Sequence, residues 1–147
     1  MRWILLITLT IAGAQATQVP TAPVALGTLI VKVERLRNSK GQVWVAVFDR
    51  ESGFPDDDTK AIRRLVAAIG SGEAEVRVDD LPYADYAVAI HHDENNDGKM
   101  NRSLFGLPKE GYGVSNNIVH ARRAPSFVEA RFRHDRPSST VTIGTHY

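Results

Sequence analysis

From Leu29 the chain alternates apolar and polar positions, with Leu29, Val31 and Val33 on one side and Lys32 and Glu34 on the other. That two-residue period is the pattern of a half-buried strand. Val43, Val45 and Val47 repeat it, but Trp44, Ala46 and Phe48 make the opposite face apolar as well, which predicts a strand covered on both sides. Asn38-Ser39-Lys40-Gly41 is a turn sequence, and the two runs around it read as a hairpin. Val76 and Val78 alternate with Arg77 and Asp79, Leu81-Pro82 interrupts, and Tyr86, Val88 and Ile90 resume the pattern toward His91-His92. This unit also reads as a hairpin. Phe127 to Phe132 and Thr140 to Tyr147 are two more alternating runs, separated by Pro137-Ser138-Ser139. One stretch has a different period: Ile62, Leu65, Val66 and Ile69 fit a helical stripe. Asp56, Asp57 and Asp58 precede it, where acidic groups favour a helix N-terminus, so a short helix is predicted over Thr59 to Val66.

Short strands, Gly/Pro turns and no alternation of strand with helix predict a mainly β chain. The expected fold is a single β-sandwich of six to seven strands, with one short helix and one long loop insertion from Asp93 to Pro125. An eight-stranded membrane barrel is the competing all-β solution, and the strands are too few and the insertion too long for it.

Before the first strand, Arg2 is followed by an apolar run from Trp3 to Ile11 and by Ala14-Gln15-Ala16, the order of a cleavable secretory signal peptide. The apolar stretch is shorter than the about 20 residues that cross a bilayer, so residues 1–16 are expected to be a removed leader and the protein to be exported to the periplasm or beyond. Residues 17–26, with Pro20 and Pro23, read as an extended arm, and residues 27–147 as the domain. There is no cysteine, which excludes both a lipid-modified cysteine and a disulfide. Eighteen Lys and Arg stand against seventeen Asp and Glu, which balance once Arg2 leaves with the expected leader, and Arg63-Arg64 and Arg122-Arg123 are isolated pairs, so nucleic acid is not an expected partner.

The segment richest in chemistry follows the fourth strand. Asp93, Asn95 and Asp97 at alternate positions, then Gly98, follow the order in which a calcium loop offers hard oxygens and turns; Lys99 through its carbonyl and Asn101 would continue the set. Leu104 stands where a closing bidentate Glu belongs, which leaves Glu94 or Glu110 to close the site. The same letters also make a metal-free Asx-rich turn. His91 and His92 are strand neighbours and point to opposite faces, so they cannot share one ion; His92 is expected inward with Val88 and Ile90, and His91 outward. Farther on, Phe105 and Tyr112 are expected to anchor the loop apolarly, while Ser115, Asn116 and Asn117 offer hydrogen-bonding groups to backbone or to a ligand such as a glycan.

The blocks His92-Asp93-Glu94-Asn95, Asp97-Gly98-Lys99, Phe105-Gly106, Pro108-Lys109-Glu110-Gly111-Tyr112-Gly113 and Ser115-Asn116-Asn117 resemble the signature of the bacterial family called domain of unknown function 2141. The likeness extends to Gly53-Phe54-Pro55, Leu81-Pro82 and Pro125-Ser126-Phe127, and it implies an exported bacterial protein of no established activity. The Leu81 to His92 unit is similar to hairpins of prealbumin-like and immunoglobulin-like sandwiches.

Two function classes follow. The first is a non-enzymatic exported sandwich whose Asp93 to Asn117 loop is structural or calcium-stabilised and meets an envelope protein or glycan. The second is a hydrolase using His91 or His92 with Asp93 or Glu94, with Ser103 or Ser115 as the nearest hydroxyls to complete a triad.

Overall fold

The computed structural model describes residues 23–147, so the expected leader and most of the expected arm lie outside the described residues. Nine strands among the described residues form two sheets. β1 (Leu26–Glu34), β4 (Ile69–Gly70), β5 (Glu73–Pro82) and β9 (Ser138–Gly144) make one, in the order β4-β5-β1-β9. β2 (Gln42–Phe48), β3 (Arg63–Ala67), β6 (Ala84–Asp93) and β7 (Gly111–Val114) make the other, in the order β3-β2-β6-β7, and β8 (Phe132–His134) also pairs with β6. Neighbours are antiparallel except β1 and β9, which run parallel. The arrangement is a β-sandwich, as the alternation predicts, and no helix among the described residues is long and apolar enough to cross a membrane.

The main core lies between the sheets. Leu29, Val31 and Val33 of β1 face Val43, Val45 and Val47 of β2 and Val88 and Ile90 of β6, all buried. A second, smaller cluster covers the outer face of β2 and β6, where Ala46, Phe48, Ala87 and Ala89 meet Val114, Phe127 and Ala130. Phe54 bridges this layer edge-to-face, its ring 5.4 Å from Phe48 and 6.1 Å from Phe127. β2 is thus covered on both sides, the consequence of its unbroken apolar sequence.

Five expectations are corrected. β1 and β2 are not a hairpin, and neither are β5 and β6: each pair crosses from one sheet to the other. A hairpin sets two strands side by side, whereas the apolar stripes of β1 and β2 meet in the core between the two sheets. The expected helix over Thr59 to Val66 is a single 3-10 turn at Asp58–Lys60, capped by Asp57, followed by β3. So short a helix has little stability of its own, while β2 offers β3 a full edge of hydrogen-bonding groups. Phe127 to Phe132 is not one strand but the helix α1 (Phe127–Ala130) followed by β8, because Ser126 and Glu129 form a reciprocal capping box. Finally, the long insertion is interrupted: Gly111–Val114 returns to the sheet as β7, so the true excursion is residues 94–110.

Candidate functional site

β6 ends at the loop, and its alternation decides where the histidines go. His92 points inward and is fully buried. Its Nε2 lies 2.8 Å from the Lys40 carbonyl, which can only accept, so Nε2 carries a proton and donates. Its Nδ1 then accepts from the Tyr147 hydroxyl at 2.7 Å, and that hydroxyl in turn accepts from the Arg37 backbone N–H at 3.0 Å. Both ring nitrogens are therefore engaged in holding the β1–β2 crossover and the C-terminus against β6. His91 points outward, in register between Trp44 of β2 and Tyr112 of β7, and its Nε2 donates to Glu110 Oε2 at 3.0 Å.

Asp93 is completely buried at the root of the loop. Its Oδ2 accepts from Gly98 N–H at 2.9 Å, from the Trp44 indole at 3.2 Å and from the Gln42 amide at 3.5 Å, while Oδ1 accepts from Asp97 N–H at 3.1 Å. Asn95 Oδ1 also accepts from Asp97 N–H, and Asp97 accepts from Lys99 N–H and from the Asn95 and Asn101 side-chain amides. Glu110 closes the other side: Oε1 accepts from Glu94 N–H at 3.1 Å, and Oε2 from Asn101 N–H at 2.9 Å as well as from His91. Arg37 clasps the base from outside, donating to Glu94 Oε1 at 2.6 Å and to the Lys109 carbonyl at 3.1 Å, with its guanidinium over the Tyr147 ring.

The candidate calcium ligands Asp93, Asn95, Asp97 and Asn101 are thus gathered, but their oxygens meet N–H groups of the loop itself; Lys99 contributes its N–H to that network. Glu94 and Glu110, the two candidates for a closing carboxylate, bind Arg37 and the loop's own amides respectively. Among the described residues no group of three or more His, Asp or Glu side chains is placed to hold a metal ion.

Burial works to raise the Asp93 carboxyl, but the N–H groups of Gly98 and Asp97, the Trp44 indole and the Gln42 amide outweigh it and hold the group below the usual range. Glu110 follows the same balance, with Asn101, His91 and Glu94 as donors against burial. Both lowered values mean that folding favours the ionised form, so their stabilisation is complete above the ordinary carboxyl range and is lost as pH falls through the folded values. The thermal midpoint is expected to be flat near neutrality and to fall below about pH 4. An acid limb that Glu110→Gln leaves equally steep would show that this carboxylate has no part in it.

The rest of the loop divides sharply. Ser103 N–H donates to the Leu107 carbonyl at 2.8 Å and Gly106 N–H to the Ser103 carbonyl at 2.9 Å, which folds residues 103–107 into a tight turn. At its apex Leu104 is fully exposed, Phe105 is 91% exposed and Leu107 is 63% exposed. Phe105 is therefore no anchor, against expectation: the loop is secured by carboxylates at its root, so its apex does not need an apolar contact with the domain. Tyr112 sits on β7 and is partly buried.

Ser115, Asn116 and Asn117 act on neighbouring backbone. Buried Ser115 accepts from Val88 N–H and donates to the Ala130 carbonyl at 2.6 Å; Asn116 donates to the Glu129 and Arg131 carbonyls. Asn117 donates to the Thr142 carbonyl and accepts from Gly144 N–H, occupying the edge of β9 as a strand would. Beside it a groove of about 480 Å³ runs along β9, lined by Arg133, Arg136, Ser139 and Thr142 among others; His91, His92, Asp93 and Glu94 do not border it.

Sequence reasoning did not find Arg37, Gln42, Trp44 and Tyr147, which complete the loop's root from distant elements; no local motif marks them. Nor did it mark Leu104, Phe105 and Leu107 as an exposed apolar cluster, although two leucines and a phenylalanine within four residues of a loop are a legible signal. No curated protein and no solved structure gives a significant match. A family model does match, over residues 31–142, from the first strand through nearly all of the last, and the chain belongs to the family described as uncharacterized proteins conserved in bacteria, DUF2141.

Proposed function

We propose that this protein is an exported, non-enzymatic sandwich that works by binding, and that the loop from Glu94 to Glu110 is its contact surface, turned toward a component of the bacterial envelope. One observation carries the reading: Leu104, Phe105 and Leu107 stand in solvent at the apex of a loop whose root is locked by two buried carboxylates. A soluble domain rarely exposes clustered large apolar side chains without a partner for them. The rigid root supports the same reading, since a pre-ordered loop loses little conformational entropy on binding. The leader expected in residues 1–16 supports the same reading, since export would bring the protein to the envelope. His92, with both ring nitrogens held by Lys40 and Tyr147, has a structural part in this reading.

The test is co-sedimentation of the purified protein with isolated bacterial envelopes. The wild-type protein is expected in the pellet and the variant Leu104→Ser/Phe105→Ser in the supernatant, both with the same unfolding midpoint because the two side chains are almost wholly exposed. Equal pelleting of the two would remove the loop as the contact surface.

A further inference from the structure

We propose that the loop apex docks onto an anionic lipid bilayer, a refinement that rests on the binding function assigned to this loop. The apex is convex, so it suits a surface that yields to it. Its chemistry is ordered by depth. Leu104, Phe105 and Leu107 occupy the tip of the turn; one register lower, Arg102 bridges Pro108, and Lys109 N–H donates to the Asn101 carbonyl. From Gly98 to Lys109 the chain carries Lys99, Arg102 and Lys109 and no Asp or Glu. The loop's acidic groups all lie at its root, where Glu94 is held by Arg37, Glu110 and Asp93 are buried, and Asp97 accepts from loop donors.

A bilayer surface has the matching order: hydrocarbon beneath, phosphates around it. Apolar side chains enter the first while the flanking cations meet the second. Backbone polar groups are the usual obstacle to such entry, because hydrocarbon offers them no partner. Here the turn answers part of that need itself: Ser103 and Gly106 donate to carbonyls across it, Leu107 N–H donates to Ser103 Oγ, and Arg102 covers the Gly106 carbonyl. Arg102 also faces Asp56 at 3.6 Å, an exposed pair that water and salt screen and that headgroup phosphates can replace. Docking is shallow, at the level of the headgroups and upper acyl chains.

The experiment is flotation of the purified protein with vesicles of phosphatidylcholine alone and of phosphatidylcholine mixed with phosphatidylglycerol, together with the fluorescence of Phe105→Trp. The wild-type chain is expected to float with the phosphatidylglycerol vesicles, not with phosphatidylcholine alone, and to be released by salt. Leu104→Ser/Phe105→Ser is expected to lose about tenfold or more in affinity at an unchanged unfolding midpoint. Lys99→Gln/Lys109→Gln is expected to bind more weakly and with less salt dependence. The Phe105→Trp emission is expected to shift to the blue on anionic vesicles. A wild-type chain that ignores the vesicles, equal binding by the serine variant, or an unshifted tryptophan overturns lipid docking. If the chain instead dimerises through the apex, or pellets with envelopes but not with vesicles, lipid docking fails while the loop remains a contact surface. Envelope pelleting that the serine substitutions leave unchanged overturns both.

Discussion

Replacing Gly41 by alanine is expected to destabilise the domain by about 3 kcal/mol or to leave no folded protein, because two costs fall on one atom. Gly41 has φ +71°, a conformation that side chains rarely adopt, and a Cβ there would overlap the Asp93 carbonyl oxygen and press on Glu94 Cα at 2.7 Å. The obstacle is backbone, which no rotamer change can relieve, and it is the strand end that carries the loop. Gly98 provides the comparison. Its φ is +72°, nearly the same, but a Cβ there meets nothing within 4 Å. Gly98→Ala is therefore expected to cost only the conformational strain, about 1 kcal/mol. Chemical denaturation of both variants separates the effects, and equal losses would show that close approach at Gly41 contributes nothing.

The second large effect is expected at Asp93. Asp93→Ala removes the acceptor of Gly98 N–H and the Trp44 indole at once, together with one of the two acceptors of Asp97 N–H, and empties a side-chain position with no solvent exposure. The loss combines three hydrogen bonds to one carboxylate with a cavity at a buried position, and about 3 kcal/mol follows, a fall of about 10 °C in Tm for a domain of this size. Asp93→Asn keeps one acceptor oxygen but sets an NH₂ against the remaining donors, so it is expected to recover less than half of the loss. The loop is expected to loosen before the sheets do, which amide hydrogen exchange would register first at Gly98 and Asn101. Exchange protection at those two amides that survives Asp93→Ala would show that Glu110 holds the loop by itself.

Much of the site was legible because it depends on strand period. The alternation through Tyr86, Val88 and Ile90 places His92 inside and His91 outside without further information, and β6 bears that out. The Asp/Asn/Gly spacing correctly marks a tight, side-chain-supported loop. The donors to the Asp93 carboxylate were not all legible. Gly98 and Asp97 are local, but Trp44 and Gln42 come from β2, beside β6 only because the sheet order puts them there. Glu110 was visible as a carboxylate and not as a clamp, since its partners, Glu94 and Asn101 amides and His91, are fixed by how the chain returns into β7.

By itself the sequence determined what short-range periodicity can encode: a cysteine-free β-sandwich, a doubly covered β2, an inward His92, and a polar loop after β6. Tertiary structure decided the pairing. Period two says which face a residue takes and nothing about which strand lies beside it, so the apparent hairpins at Lys40-Gly41 and Leu81-Pro82 become crossings between sheets. The same limit governed Arg63–Ala67, where a weak helical stripe yielded to the open edge of β2, and Phe105, which stays in water because distant partners hold the loop at its root. Local pattern sets orientation; long-range hydrogen bonds set neighbours.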